Sequence, residues 1–355
     1  MMSFLRQYLR SAGESNNEEN KVPTYLMKSM SVNGAHFDLS LMASTSNQTI
    51  STFQCPITLN FDPTNITHLP ASVVPTWISL ITINIVTSPP IVLINLLVIW
   101  TVLENEQLRS NSYYFLVAIL SLSDLLVGLV VQPLFVALLV CITVQYSFLV
   151  CEVTIAYSIP VLLCISWTVV TMAIVSLERY LYIEHPLHYQ ASVTTKKMII
   201  ATAVTWVVMG TAVVTSRFLV NSLWARQLPF LLTIGPSLVI ILFCVSKIHL
   251  TALRQMRTIV AQQQSVVQQS KIKEYKRTFT LGLIVLASVA FLCPLLILKI
   301  VEAVKGNWSD DFKYLSHAIY LTAAHLQSLI NPIIYSLRLS DIRSGVRKKL
   351  CYNRQ

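Results

Sequence analysis

The sequence predicts an all-α membrane protein, a bundle of seven transmembrane helices followed by a short amphipathic helix. Composition, long charge-free apolar runs and the placement of positive charge between those runs carry that expectation. Of 355 residues, 54% are hydrophobic and only 12% are charged, and the mean hydropathy is +0.62. So few polar residues could not clothe a water-soluble globule of this size.

The runs Trp77–Leu103, Val153–Leu177, Met198–Ser216, Gln227–Ser246, Thr278–Leu298 and Tyr314–Leu337 contain no Asp, Glu, Lys or Arg. A seventh, Ser110–Cys151, is interrupted only by Asp124. About 20 helical residues cross the hydrocarbon core, so each run is long enough for one crossing. Ser110–Cys151 is too long for one. It reads as the second span, a turn near Gln145-Tyr146-Ser147, and the start of the third.

Seventeen of the 26 Lys and Arg residues fall on one side of the alternating loops, together with the C-terminal tail. Positive charge marks the cytoplasmic side, which leaves the N-terminus outside. The Asn-x-Ser/Thr signals at Asn47, Asn65 and Asn307 all lie on the outer side and are candidate glycosylation sites. The net charge of +10 borders membrane spans, where anionic lipid and topology account for it, and no nucleic-acid motif accompanies it.

The chain divides into three regions. Residues 1–72 form a polar, Ser/Asn/Thr-rich tail without helical or strand period, read as extracellular and disordered. Residues 73–338 hold the seven spans. In 339–355, Leu339, Ile342, Val346 and Leu350 recur every three or four residues, with Arg343, Arg347, Lys348 and Lys349 largely opposite. That pattern predicts a helix on the membrane surface, apolar side down. Cys351 at its end is either a palmitoylation site or an unmodified thiol. Of seven cysteines, only Cys55, Cys141 and Cys151 meet the oxidising side, and any pairing among them is open.

Polar groups within a span are costly and usually have a role. Asp124 is the one acid deep in the predicted hydrocarbon, and it needs a proton, a cation or a basic partner. The third span ends in Glu178-Arg179-Tyr180, an acid beside an arginine that makes an openable charge pair at a helix end. The seventh ends in Asn331-Pro332-Ile333-Ile334-Tyr335. Pro332 removes a helical hydrogen bond there, and Asn331 and Tyr335 share a face.

With Asp124, Trp206 and those two clusters, the chain resembles the rhodopsin-like G-protein-coupled receptors from about Val73 to Cys351. Asn95, Asp124, Trp206, Pro236 and Pro294 match marker positions of helices one, two, four, five and six. The resemblance implies no enzyme and no obligatory cofactor. It implies an extracellular ligand, a heterotrimeric G protein, an arrestin and a receptor kinase as partners, besides membrane lipid. Glu178, Arg179, Tyr180, Glu274, Pro294, Asn331, Pro332 and Tyr335 would form the activation switch. Asp124, Thr168, Ser328 and Asn331 would hold an allosteric Na⁺. Val161, Cys164, Ile165, Leu228, Leu295, Lys299, Tyr320, Leu321 and His325 would line the ligand pocket.

The chain also departs from the pattern. The second outer loop has no Cys, Leu292 stands where a tryptophan is usual, and Cys244 stands where a tyrosine is usual. A silent or constitutively active receptor therefore stays open beside the signalling one. A transporter would show internal repeats or several intramembrane charges, and neither is present in the sequence. Val161 occupies the position of the amine receptors' aspartate, and His325 that of the opsins' retinal lysine, which argues against both ligand classes. The short cysteine-free outer loop is similar to that of melanocortin, cannabinoid and lysophospholipid receptors, and Pro186-Leu187-His188-Tyr189 to Thr194 to adenosine receptors. Lys299 is either a cation at the pocket mouth or a side chain reaching the interface beside Glu302.

Glu274, twenty residues before Pro294, is placed to pair with Arg179 across the bundle or to sit solvated among basic neighbours. Pairing at this half-wet edge is worth about 1 kcal/mol, enough to move a conformational balance several-fold. Glu274→Ala should therefore raise basal G-protein signalling several-fold, normalised to surface expression. Arg179→Ala should reach the surface but couple poorly. Basal signalling no higher than the parent's in Glu274→Ala would sink the latch.

Overall fold

In a computed structural model of the protein, residues 69–144, 147–219, 223–261 and 309–351 are described, with four isolated positions between the last two segments. All of them belong to one of the chain's two compact units, Gln54–Gln355. The turn residues Gln145 and Tyr146, the expected sixth span Thr278–Leu298 apart from three of those isolated positions, and Asn47, Asn65 and Asn307 lie outside the described residues.

The first span is the helix Val74–Glu104, opened by Pro75 near its N-terminus, where a missing N–H costs nothing. Trp77, Leu80, Asn84, Ile91, Asn95, Val98 and Val102 are its buried face, at helical spacing. Asn105 ends it in an extended conformation, and its side chain accepts from the N–H groups of Gln107 and Leu108 to start the short helix Glu106–Ser110. Asn111 repeats the device for the second span by accepting from Tyr113 N–H.

The second span is not one regular helix. Ser112–Leu126 and Gln132–Thr143 are α-helical, and Val127–Val131 between them is a π-helical turn. Such a turn inserts a residue and rotates the helix beyond it. The first span closes on it there. Ser88 Oγ donates to the Gly128 carbonyl at 2.7 Å, and a methyl on Gly128 would lie 2.8 Å from Ile91 Cγ2 and 3.0 Å from Val92 Cγ2.

The third span, Ser147–Glu184, is 38 residues long, about 57 Å of helix. In its most apolar stretch 61% of residues are buried, against 17% in the fourth span, Thr195–Leu219. That difference makes the third span the axis of the bundle. It packs on the second, fourth and fifth spans, the last being Leu223–Ala261. The fourth is held by its tryptophan: Trp206 stacks on Trp167 at 4.7 Å and donates to Thr171 Oγ1 at 3.0 Å.

Five described helices are long and apolar enough to cross a membrane. The helix Asp310–Arg338 is as long but more polar, because His325, Gln327, Ser328 and Asn331 turn inward. Pro332 lies within it, as the sequence requires of the seventh span.

The C-terminal helix Ser340–Cys351 forms as expected. Leu339, Ile342 and Val346 are buried in the inner core with Leu97, Val98, Val102 and Tyr335. Of the four periodic apolar residues only Leu350 stays exposed, at 61%. Tyr114 Oη donates to Asp341 Oδ2 at 2.6 Å, and Lys349 pairs with Glu104 over the Trp100 ring at 4.0 Å. The bundle thus covers three of the four periodic apolar residues and leaves Leu350 outward.

Gly128→Ala should cost about 1–3 kcal/mol by overpacking the contact between the first two spans. Thermal unfolding of the purified protein in one detergent checks this. An unchanged Tm would show that Ile91 yields freely.

Candidate functional site

Three clusters of buried polar groups lie along the bundle. The middle one is built on Asp124, which is 1% exposed. Ser328 Oγ donates to Asp124 Oδ1 at 2.8 Å and Asn331 Nδ2 to Oδ2 at 3.0 Å. Ser123 and Thr168 share a hydrogen bond of 3.1 Å beside them. Asn95 Nδ2 donates to the Ser328 carbonyl at 3.0 Å, which ties in the first span. Four spans therefore converge on one carboxylate. A cavity of about 20 Å³ opens next to it, lined by Thr168, Cys164, Ser328 and His325 among others.

The inner cluster lies at the cytoplasmic end of the third span. Arg179 meets Glu178 through a two-toothed fork, Nε to Oε2 at 2.5 Å and Nη2 to Oε1 at 2.6 Å. Glu178 is fully buried and Arg179 is 5% exposed, so water competes poorly for either ion. Tyr189 Oη donates to Glu178 Oε1 at 2.6 Å. Pro186 opens the short helix Pro186–Ser192 that presents Tyr189. Burial, and then the Glu178 carboxylate, push the Tyr189 phenol up to about 12, so it stays a donor at any physiological pH. Glu184 accepts from Thr251 of the fifth span, and Tyr180 packs on His185 and Phe243. Glu274 and Pro294 lie outside the described residues.

The outer cluster joins the first, second and seventh spans. His325 Nδ1 lies 2.9 Å from Asn84 Oδ1, Asn84 Nδ2 donates to Thr322 Oγ1 at 3.0 Å, and Gln132 Nε2 donates to Asn84 Oδ1 at 3.2 Å. Because Asn84 Oδ1 can only accept, Nδ1 carries the proton and Nε2 of the neutral ring is left as an acceptor. The rings of Phe135 and Tyr157 meet His325 edge-on at 5.2 and 6.4 Å. His325 Nε2, Tyr157 Oη and Gln132 Oε1 are buried with no hydrogen-bond partner among the described residues. Val161, Cys164, Tyr320 and Leu321 are buried in the same apolar core, with Ile165 packed against it.

Leu228 does not join them. It is 53% exposed, because Phe230, Ile234 and Leu238 form the inward face of its helix and Leu228 lies two residues off that register. Leu295 and Lys299 lie outside the described residues. Asn84, Gln132 and Tyr189 do not stand out in the sequence as site residues. For the first two, a lone amide within a charge-free run is the sign that could have found them.

Residues 94–335 match the model of the seven-transmembrane receptor (rhodopsin family). The chain belongs to that family. Curated relatives include the histamine H2 receptors of Homo sapiens, Pongo pygmaeus and Gorilla gorilla gorilla. Each is 26% identical over 278 residues, covering 72% of this chain and 75% of the relative. Membership makes the protein a multi-pass membrane receptor for signal transduction and no enzyme.

Cys151, at the outer end of the third span, is disulfide-bonded, while Cys141 is free. That removes Cys141 from the three outer cysteines that the sequence leaves as candidates for pairing. Cys244 is 1% exposed in the core of the fifth span, packed as a small apolar group.

The Asp124 donor set suits a hard monovalent cation. It offers a carboxylate, the hydroxyls of Ser328 and Thr168, and the buried Asn331 Oδ1, which has no partner among the described residues. If these oxygens hold Na⁺ in the resting receptor, sodium should lower agonist affinity and Asp124→Asn should abolish that effect. Agonist titrations in sodium and in potassium buffers measure it. A mutant that keeps the full sodium response would remove Asp124 from the site.

Proposed function

We propose that this protein is a cell-surface receptor that takes an amphiphilic ligand in the outer half of its bundle. It then activates a heterotrimeric G protein from the Arg179 end. Arrestin and a receptor kinase would act on the same cytoplasmic face, as family membership suggests. The observation that carries the ligand class is the chemistry of the outer cluster. Its buried walls are aliphatic and aromatic, and its polar groups, Asn84, Gln132, Thr322 and His325, are neutral amides, a hydroxyl and an imidazole. Among the described residues no buried carboxylate lies in that half.

This matters because the curated relatives are receptors named for histamine, an amine. An ammonium ion brought into a dry pocket needs an opposite charge. At 6% exposed, Val161 supplies only a methyl surface where an acid would be needed. The cluster suits a ligand with an apolar body and a hydroxyl or amide that donates to His325 Nε2. Lys299, on the outer side in the sequence, would receive an anionic head.

A panel of amines and of neutral and anionic amphiphiles, scored by nucleotide exchange on G proteins, tests the proposal. An anionic amphiphile should activate, and Lys299→Ala should cost it more than about tenfold in potency, the worth of one ion pair away from bulk water. Activation by histamine or another simple amine, with the amphiphiles inert, would overturn the ligand class. A loss under about threefold in Lys299→Ala would leave Lys299 as an interfacial anchor.

A further inference from the structure

The fork between Glu178 and Arg179 is only part of the surroundings of that arginine. Arg179 Cζ lies 4.4 Å from the ring centroid of Tyr113 and 4.8 Å from that of Tyr182. Tyr113 comes from the first turn of the second span. Tyr182 comes from the third, three residues beyond Arg179 and so one helical turn along on the same side. Tyr182 also meets Tyr189 edge-on at 5.2 Å and 87°, and Tyr189 holds Glu178. The contacts therefore close into a ring: Arg179 to Tyr182, Tyr182 to Tyr189, Tyr189 to Glu178, and Glu178 back to Arg179. Tyr113 completes the enclosure from the second span. Tyr113 packs on Tyr114 at 5.3 Å, and Tyr114 is hydrogen-bonded to Asp341 of the C-terminal helix.

A guanidinium is planar and weakly hydrated, so it gains from aromatic faces while its edge is held by a carboxylate. Arg179 is 5% exposed although a cavity of about 420 Å³, lined by Tyr113, Tyr114, Tyr182 and Tyr189 among others, adjoins it. Among the described residues its contacts come from the second and third spans and the short helix after the third. This enclosure forms without any contribution from the sixth span being invoked.

We propose that Tyr113 and Tyr182 form an aromatic clamp that positions Arg179 in the resting receptor, independently of any contact with Glu274. The proposal rests on the receptor reading above only for its signalling consequence. Both tyrosines are positioning residues, and the ring rather than the hydroxyl does the holding.

The test uses the full-length receptor in lipid nanodiscs, with two readouts. Hydrogen–deuterium exchange over the cytoplasmic end of the third span reports loosening around Arg179 whether or not a G protein couples. Basal nucleotide exchange on added G protein, per receptor, reports signalling. Tyr182→Leu should speed exchange of that segment and raise basal nucleotide exchange about three- to tenfold, as expected for removing one cation–π contact. Tyr182→Phe should behave as the parent in both. Tyr113→Leu should resemble Tyr182→Leu. Tyr113 is 1% exposed and Tyr182 is 36% exposed, so Tyr182→Leu decides the matter if the Tyr113 variant does not fold. Combined with Glu274→Ala, the rise in basal exchange should multiply rather than saturate. Parent-like hydrogen exchange in Tyr182→Leu would overturn the clamp, as would Tyr182→Phe matching Tyr182→Leu. Faster hydrogen exchange with no nucleotide exchange on any G protein would uphold the clamp and sink the coupling reading instead.

Discussion

The buried carboxylate of Asp124 is the constraint around which the bundle is arranged. Lipid drives no helix association by itself, since the acyl chains are as apolar as the leucines they would meet. A carboxylate in that medium, however, costs several kcal/mol unless it is paired or hydrogen-bonded. Ser328 and Asn331 satisfy both oxygens from the seventh span, and Asn95 holds the Ser328 carbonyl from the first. Rotating the seventh helix by one residue, about 100°, would strip Asp124 of both donors. Apolar contacts tolerate such a slip far better. The polar contacts thus specify register, and the aliphatic residues fill the space that the register leaves.

The same logic runs to each end of the bundle with different chemistry. At the outer end the groups are neutral, and the amide of Asn84 serves as the hub, accepting from two side chains and donating to a third. Reaching that hub from the second span depends on the π turn at Val127–Val131, which changes the angular position of Gln132 relative to Asp124. The turn in turn depends on Gly128, because the first span passes too close for a side chain. At the inner end the groups are charged, and aromatic rings replace amides. The Arg179–Glu178 fork is dry, so its release requires the surrounding rings to part.

Much of this was legible in the sequence where the determinant is local or one-dimensional. The spans were, because hydrocarbon thickness sets a minimum apolar length and charge cannot hide within it. Trp77–Leu103 became Val74–Glu104 and Tyr314–Leu337 became Asp310–Arg338, the differences being polar end turns that hydropathy does not register. Asp124, Glu178, Arg179 and Asn331 stood out because polar residues within spans are rare. Tyr189, Asn84 and Gln132 did not, since their meaning comes from a partner elsewhere in the chain. Asn84 and Thr322 are separated by 238 positions. The π turn leaves no pattern beyond one glycine. The C-terminal helix was found by its period, but which of its apolar residues meet the bundle was not, because Ile342 and Val346 look the same whether they meet lipid or Val98.

The seventh span carries the arrangement from one end to the other. Thr322, His325, Ser328 and Asn331 lie three residues apart, the first two on Asn84 and the last two on Asp124. In an α-helix a spacing of three falls about 60° short of a full turn, so the four groups wind around the helix over about 13.5 Å. The outer pair reaches the first span and the inner pair the second. One rigid helix cannot turn at His325 without turning at Ser328, since a single residue's rotation separates both from their partners. A ligand that took the acceptor Nε2 of His325 and shifted its ring would therefore act on the Asp124 contacts through the helix backbone, with no further intermediary. Pro332 comes directly after Asn331 and removes one backbone hydrogen bond from the ladder there. Beyond it Tyr335, 1% exposed, packs in the inner core with Tyr113 and Tyr114, and Tyr113 is one of the two rings that face Arg179. On the function proposed above, the stiff outer portion of the seventh span transmits the displacement to Asp124, and the weakened turn at Pro332 lets the inner portion move against the second span.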